Sequence, residues 1–127
     1  MGVALDTNAL SALADGDVRL GELLETVTEL ALPAIALGEY RYGISRSRHR
    51  RTYERWLKGV LEDVPVLPVL DSTTVQYAKL WSDLRKAGTP LPTNDVWIAA
   101  ICLEHRLPLV TRDSHFAKVR SLKAICW

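Results

Sequence analysis

The sequence predicts an α/β domain on a mostly parallel sheet, and three observations carry that expectation. Short apolar runs that read as buried strands alternate with stretches whose apolar residues recur at helical spacing. No internal repeat and no linker interrupts the alternation, so residues 1–127 are expected to form a single domain. At 127 residues the chain is long enough to bury a hydrophobic core, and its 48% apolar and 24% charged content excludes disordered and low-complexity classes.

The elements follow in order. Residues 3–5 ("VAL") read as a short buried strand. "NALSALA" (8–14) continues as a short helix, with Thr7 or Asn8 as its N-cap. In "DVRLGELLETVTEL" (17–30), Leu20, Leu23, Leu24 and Val27 fall at helical spacing, with Asp17 as cap. "ALPAIA" (31–36) reads as a second short strand, and "LGEYRYGIS" (37–45) turns into a helix. Tyr53, Trp56, Leu57, Val60 and Leu61 give residues 48–64 an amphipathic helical face. "VPVLPVL" (64–70) is extended, because proline pushes the residue before it out of helix. Ser72 caps a helix that Gly88 ends, with Tyr77, Trp81 and Leu84 on one stripe. "GTPLPTN" (88–94) is a loop, and "DVWIAAICLEHR" (95–106), apolar nearly all round, is a buried helix with Thr93 and Asn94 as caps. "LPLV" (107–110) and "LKAIC" (122–126) complete the strands.

Several classes of protein are excluded. The longest apolar run, residues 96–103, is too short to span a bilayer. The N-terminus shows no signal peptide, and Asp at position 6 argues against myristoylation, so a cytoplasmic location is expected. Cys102 and Cys126 lie in apolar surroundings and are read as reduced core thiols; no Cys/His spacing resembles a zinc site. A net charge of +1 excludes a uniformly basic nucleic-acid binder. Residues 41–55, however, hold six arginines and one acid, Glu54, which leaves the rest of the chain at −4. A basic patch on an acidic body suits an anionic partner held at one place, with a solvated helix face as the alternative.

The carboxylates carry the chemistry. Ligands of open α/β sheets bind at the carboxyl ends of the strands. Asp6 follows the first strand, Glu39 follows the second inside the first turn of its helix, Asp95 opens the buried helix, and Asp113 follows "LPLV" and Thr111. Singly, each has an ordinary explanation as a turn starter or a helix-dipole partner. Together they converge on one edge, where carboxylates repel and are stable only with a cation or with some of them protonated. Carboxylate and water oxygens suit Mg²⁺ or Mn²⁺. With a basic patch on the same chain, such a site fits phosphodiester hydrolysis. His49, His105 and His115 have no assignable partner and are read as surface or helix-end residues.

"LDTNALSAL", "GEYRYGI", "TNDVWIAA" and "LVTRDSHF" resemble, in order and spacing, the four sequence blocks of PIN-domain ribonucleases, and within them the VapC toxins of prokaryotic toxin–antitoxin pairs. The resemblance runs from residue 3 to about 124. It implies a three-layer α/β/α sandwich whose acids, here Asp6, Glu39, Asp95 and Asp113, hold one or two Mg²⁺ or Mn²⁺ ions and cut RNA. It also implies site-shaping roles for Asn8 and Thr111, a homodimer, and inhibition by a small VapB-like antitoxin. "LEHRLPLV" departs from many relatives, which carry a glycine before the strand, and leaves that turn open.

On this reading Arg46, Arg48, Arg50 and Arg51 guide the RNA backbone, with Arg112 close to the cleft. Unstacked bases supply sequence choice. Tyr40 and Tyr42 are candidate stacking partners, with core or dimer packing the favoured role, and Trp56, Trp81 and Trp97 are read as core or interface. Three rivals remain. A haloacid-dehalogenase-type phosphatase needs a second Asp two residues after the first, where Asn8 stands. An RNA- or partner-binding module without catalysis would bind regardless of metal. The third is a DNA nuclease on the same fold, and an antitoxin-independent RNA-processing nuclease is the alternative to a toxin.

Overall fold

Alternate residues of the first strand, β1 (Gly2–Leu5), feed opposite cores. Val3 and Leu5 point to one side and Ala4 to the other, and all three are fully buried. That is the period-2 geometry of a strand covered on both faces. The computed structural model describes residues 1–127. After β1 it runs α1 (Thr7–Ala14), α2 (Val18–Leu24), β2 (Glu29–Pro33), α3 (Ala34–Ser45), α4 (Arg50–Asp63), β3 (Val66–Leu67), α5 (Asp71–Ala87), α6 (Thr93–Glu104), β4 (Leu109–Val110), a 3-10 turn (Ser114–Lys118) and β5 (Ala124–Ile125).

The five strands are all parallel, in the order β3-β2-β1-β4-β5. The register pairs Ala4 with Ala31 on one side and with Leu109 on the other. The chain leaves β1 toward β2 and later returns to its other side as β4, so β1 is the switch point whose carboxyl end opens a crevice. One core packs α5 and α6 against the sheet through Leu80, Leu84, Ile98, Ala99, Cys102 and Phe116. The other packs the first four helices through Leu10, Leu20, Leu37, Tyr40, Ile44 and Leu57. The three layers expected from the sequence are therefore present. Each fully buried Leu, Ile or Val contributes about 1.5–3 kcal/mol against exposure.

The structure corrects several local expectations. The cap of α1 is Asp6, whose Oδ1 accepts the Thr7 N–H at 2.8 Å, rather than Thr7 or Asn8. The apolar run 31–36 divides after Pro33: Ala34, Ile35 and Ala36 are already helical, and Glu39 lies in the second turn of α3, not the first. Ser72 does not cap α5, which begins one residue earlier; instead the Thr73 hydroxyl accepts the Leu70 N–H at 2.9 Å. Thr93 and Asn94 are the first helical residues of α6 and follow Pro92, a residue suited to a helix start because it lacks the N–H a helix would leave orphaned. Cys102 is a buried thiol, pushed up to about 12 by burial, but Cys126 is exposed and not a core residue.

Other expectations are met. Asp17 caps α2 through the Leu20 N–H at 3.0 Å, and Gly88 ends α5 with a left-handed φ of 69°. Arg106 stands at the turn before β4 that the sequence left open, and it adopts φ 55°, the lone positive value at a non-glycine residue. The turn keeps left-handed geometry at some steric cost. Trp97 stacks on Tyr77 with ring centroids 3.8 Å apart, tying α6 to α5, and Trp56 meets Tyr40 edge-on at 6.2 Å, tying α4 to α3. No helix is long and apolar enough to cross a membrane.

Candidate active site

The end of β1 delivers Asp6 to the crevice as both cap and acid. With Oδ1 engaged by α1, its Oδ2 accepts the Thr111 hydroxyl at 2.7 Å and the Asn8 amide at 3.2 Å. Thr111 follows β4, and its hydroxyl also accepts the Asp113 N–H at 3.0 Å. Asn8 spans the same gap, since its Oδ1 accepts the Arg112 N–H at 3.2 Å. The two residues read as site-shaping thus tie the β1 and β4 ends together. Asp6 is only 4% exposed. Burial raises its carboxyl above the usual range, the Thr111 and Thr7 hydrogen bonds pull it back, and Glu39 and Asp113 push it up again.

Glu39 enters from α3, where the Thr7 hydroxyl donates to its Oε1 at 2.8 Å. Asp95 enters from the first turn of α6. Its carboxyl is pushed up to about 6 by burial first, then by the charges of Asp113, Asp6 and Glu39, with His115 pulling the other way. Asp113 accepts the His115 N–H at 2.8 Å as the cap of the 3-10 turn. That turn brings the His115 Nδ1 to 3.2 Å from Asp113 and 3.6 Å from Asp95. All four predicted acids therefore lie in one charge-coupled cluster. His115, read from the sequence as a bystander, belongs beside them, and so does Thr7. The spacing Asp113-x-His115 was the available sign, because a capped tight turn folds residue i+2 back over residue i.

These donors suit a hard divalent cation. They are oxygen atoms on four separate elements, no lysine or arginine pairs with any of the four acids, and Asp95, Asp113 and His115 each offer a ligand atom within 4.8 Å of the others. Burial first, and then the three neighbouring carboxylates, raise Asp95, and a bound divalent cation would offset both.

The arginines are distributed differently. Arg46 follows α3, and Arg48, Arg50 and Arg51 line an exposed hollow before α4. Arg50 also pairs with Glu54 at 3.7 Å. The Arg112 side chain turns to Asp17 at 3.3 Å and lies over the Trp127 ring at 4.3 Å, so only its backbone reaches toward the acids.

A parallel sheet flanked by helices, with acids from β1, α3, α6 and the loop after β4 gathered at its carboxyl edge, defines the PIN-domain class. The PIN domain family model matches residues 3–122, and the chain belongs to that family. Within it, the chain is similar to the VapC ribonucleases. Ribonuclease VapC5 of Mycobacterium tuberculosis is 31% identical over 120 residues, covering 89% of this chain and 84% of that one. Ribonuclease VapC2 of Rickettsia felis is 27% identical over 128 residues, 97% of this chain and 96% of that one. Among solved structures, VapBC-1 of nontypeable Haemophilus influenzae superposes with a TM-score of 0.87 at 26% identity, covering 100% of this chain and 98% of that one.

Proposed function

We propose that the protein is a Mg²⁺- or Mn²⁺-dependent endoribonuclease acting as a VapC-like toxin, restrained by a VapB-like antitoxin. The observation that carries this reading is the charge coupling of Asp6, Glu39, Asp95 and Asp113 at one crevice, where no lysine or arginine pairs with them and His115 is the sole basic ring in contact. Its relatives' names, ribonuclease and VapBC, supply the substrate class and the partner.

Asp6, Asp95 and Asp113 would hold one or two ions, with Glu39 as a further ligand or as the group that orients the attacking water. A bound divalent ion there supplies a more acidic water and charge neutralisation at the scissile phosphate. The protein's own contribution is positional. Thr111 and Asn8 fix the Asp6 carboxylate, and Thr7 fixes Glu39 with its second oxygen left for water. In the reaction, water adds to phosphorus and the P–O3′ bond breaks, leaving a 5′-phosphate and a 3′-hydroxyl. The proton lost by the attacking water passes to Glu39 or to solvent, and the departing 3′-oxygen takes one from solvent. Arg46, Arg48, Arg50 and Arg51 supply phosphate contacts along the RNA, and Arg112 does so only after leaving Asp17.

The test compares RNA and DNA versions of one single-stranded oligonucleotide, with Mg²⁺, with Mn²⁺ and with chelator. Metal-dependent cleavage of the RNA alone, lost in Asp6→Asn, is expected. Cleavage of DNA at an equal rate, or wild-type rates from Asp6→Asn, would overturn the assignment. Relief of growth arrest by co-expressing a short VapB-like reading frame, where one lies immediately upstream of this gene, tests the antitoxin.

A further inference from the structure

Along α3 and its C-cap, residues 39, 42 and 46 stand three and then four apart, which places Glu39, Tyr42 and the capping Arg46 on one stripe. Tyr42 is 66% exposed, although it lies only two residues from Tyr40, which is 4% exposed and buried in the core. A single exposed ring is ordinary by itself; what sets Tyr42 apart is its place beside Glu39 with a guanidinium against it. The ring forms the rim of an open hollow of about 660 Å³ beside the acids, whose wall includes Thr7, Ile35, Glu39 and Asn94. Behind it, the Arg46 guanidinium stands 5.8 Å from the ring centroid and reaches the Tyr42 hydroxyl at 3.4 Å. Two residues further along the chain, Arg48 begins the arginine run that lines a separate open hollow with Arg50 and Arg51.

We infer that Tyr42 is a stacking platform for an unpaired nucleobase flanking the cut phosphate, with Arg46 holding the next phosphate along the strand. This deepens the ribonuclease reading and rests on it. A flat, exposed ring stacks on any base face, so it recognises an unpaired nucleotide without reading sequence. A base paired in a duplex keeps its faces covered and cannot use the ring. The stripe therefore selects single-stranded or looped RNA: the carboxylate end faces the reacting phosphate, the ring takes the base, and the guanidinium takes the following charge. Antitoxin and homodimer contacts are the competing occupants of this face.

The experiment titrates a labelled single-stranded oligoribonucleotide of mixed sequence, and its blunt duplex, in Mg²⁺ on the Asp95→Asn background, where no cutting is expected. Tyr42→Ala should weaken single-strand binding about tenfold or more, as loss of one base–aromatic stack does. Tyr42→Phe should restore most of that affinity, and duplex binding should change less than about twofold because it uses phosphate contacts. Equal losses for single strand and duplex, no loss at all, or a changed oligomeric mass in Tyr42→Ala would each overturn the inference, the last by assigning the ring to a subunit contact. Absence of cleavage by the wild-type protein, with Tyr42-dependent binding intact, would instead remove the nuclease reading and leave the platform standing.

Discussion

The two ends of α6 each carry a carboxylate, and their acidities move in opposite directions. Asp95, in the first turn, sits where the helix dipole favours a negative charge, yet its carboxyl is raised to about 6. Glu104, the last residue of the helix, sits where the dipole disfavours one, yet its carboxyl is held below the usual range by the Ser72 and Thr73 hydroxyls. The Thr73 hydroxyl donates at 2.5 Å, and Ser72 donates to the other oxygen. The difference teaches that on this helix burial at one end and hydroxyl partners at the other outweigh the backbone field. Glu104 has donors for both oxygens and serves to dock α5. Asp95 is buried among carboxylates, with the His115 ring as its one basic neighbour.

Each expected outcome tests that contrast, beginning with the largest effect. Asp95→Asn should lower RNA cleavage by about 10³-fold or more, because several kcal/mol of charge stabilisation goes with the metal. Glu104→Gln should leave the cleavage rate intact, and gel-based initial rates compare the two. Thermal melts at pH 7 should show the wild-type protein stabilised by about 2.7 kcal/mol at a metal concentration 100 times its Kd. That gain should shrink sharply in Asp95→Asn and persist in Glu104→Gln. Urea unfolding of Thr73→Val should show a loss of about 1–2 kcal/mol, since the Leu70 N–H loses its acceptor and Glu104 loses a donor.

The smallest effect is on pH dependence without metal. Asp95 has a folded pKa of about 6, above its unfolded value near 3.9, so its protonated form favours the fold below about pH 4 and that advantage is lost as pH rises through 6. Metal-free Asp95→Asn should therefore be more stable than wild type at pH 7, by about 1 kcal/mol after solvent screening, and equal to it near pH 4. Glu104 has the reverse sign. Its stabilising contribution is present above the unfolded glutamate pKa and disappears as pH falls through the lowered folded one, so Glu104→Gln should lose stability at pH 7 and lose none in strong acid. Unfolding curves for both variants across this range would show two slopes of opposite sign, or end the comparison.

The parallel sheet and the four acids were legible, the strand order was not: each acid closes an apolar run or opens a buried helix, positions that topology sends to one edge. What stayed hidden depended on contacts between distant segments. Nothing near Ser72 announces that its hydroxyl serves Glu104, 32 residues away, in place of its own helix end. Tyr40 and Tyr42 are chemically alike in the sequence, but two residues along a helix turn the side chain by about 200°. Only the packing of α4 decides that Tyr40 is covered and Tyr42 is bare. Cys126 looked interior because its neighbours are apolar, yet it is exposed just past β5, the strand at the sheet's edge. His115 joined the acids through a turn whose curvature is set by Asp113 itself.

Asp6 anchors the start of α1 with the oxygen opposite the one that Thr111 orients. Alleles selected for silence should therefore avoid this codon. Alanine there would unravel the first turn as well as the chemistry, whereas Glu39, which supports no helix end, can change and leave an intact, inert chain to accumulate. Asparagine is the exception at position 6, since an amide oxygen still caps a helix, and it is the change by which a harmless but folded form of the protein is best obtained for co-crystals with RNA.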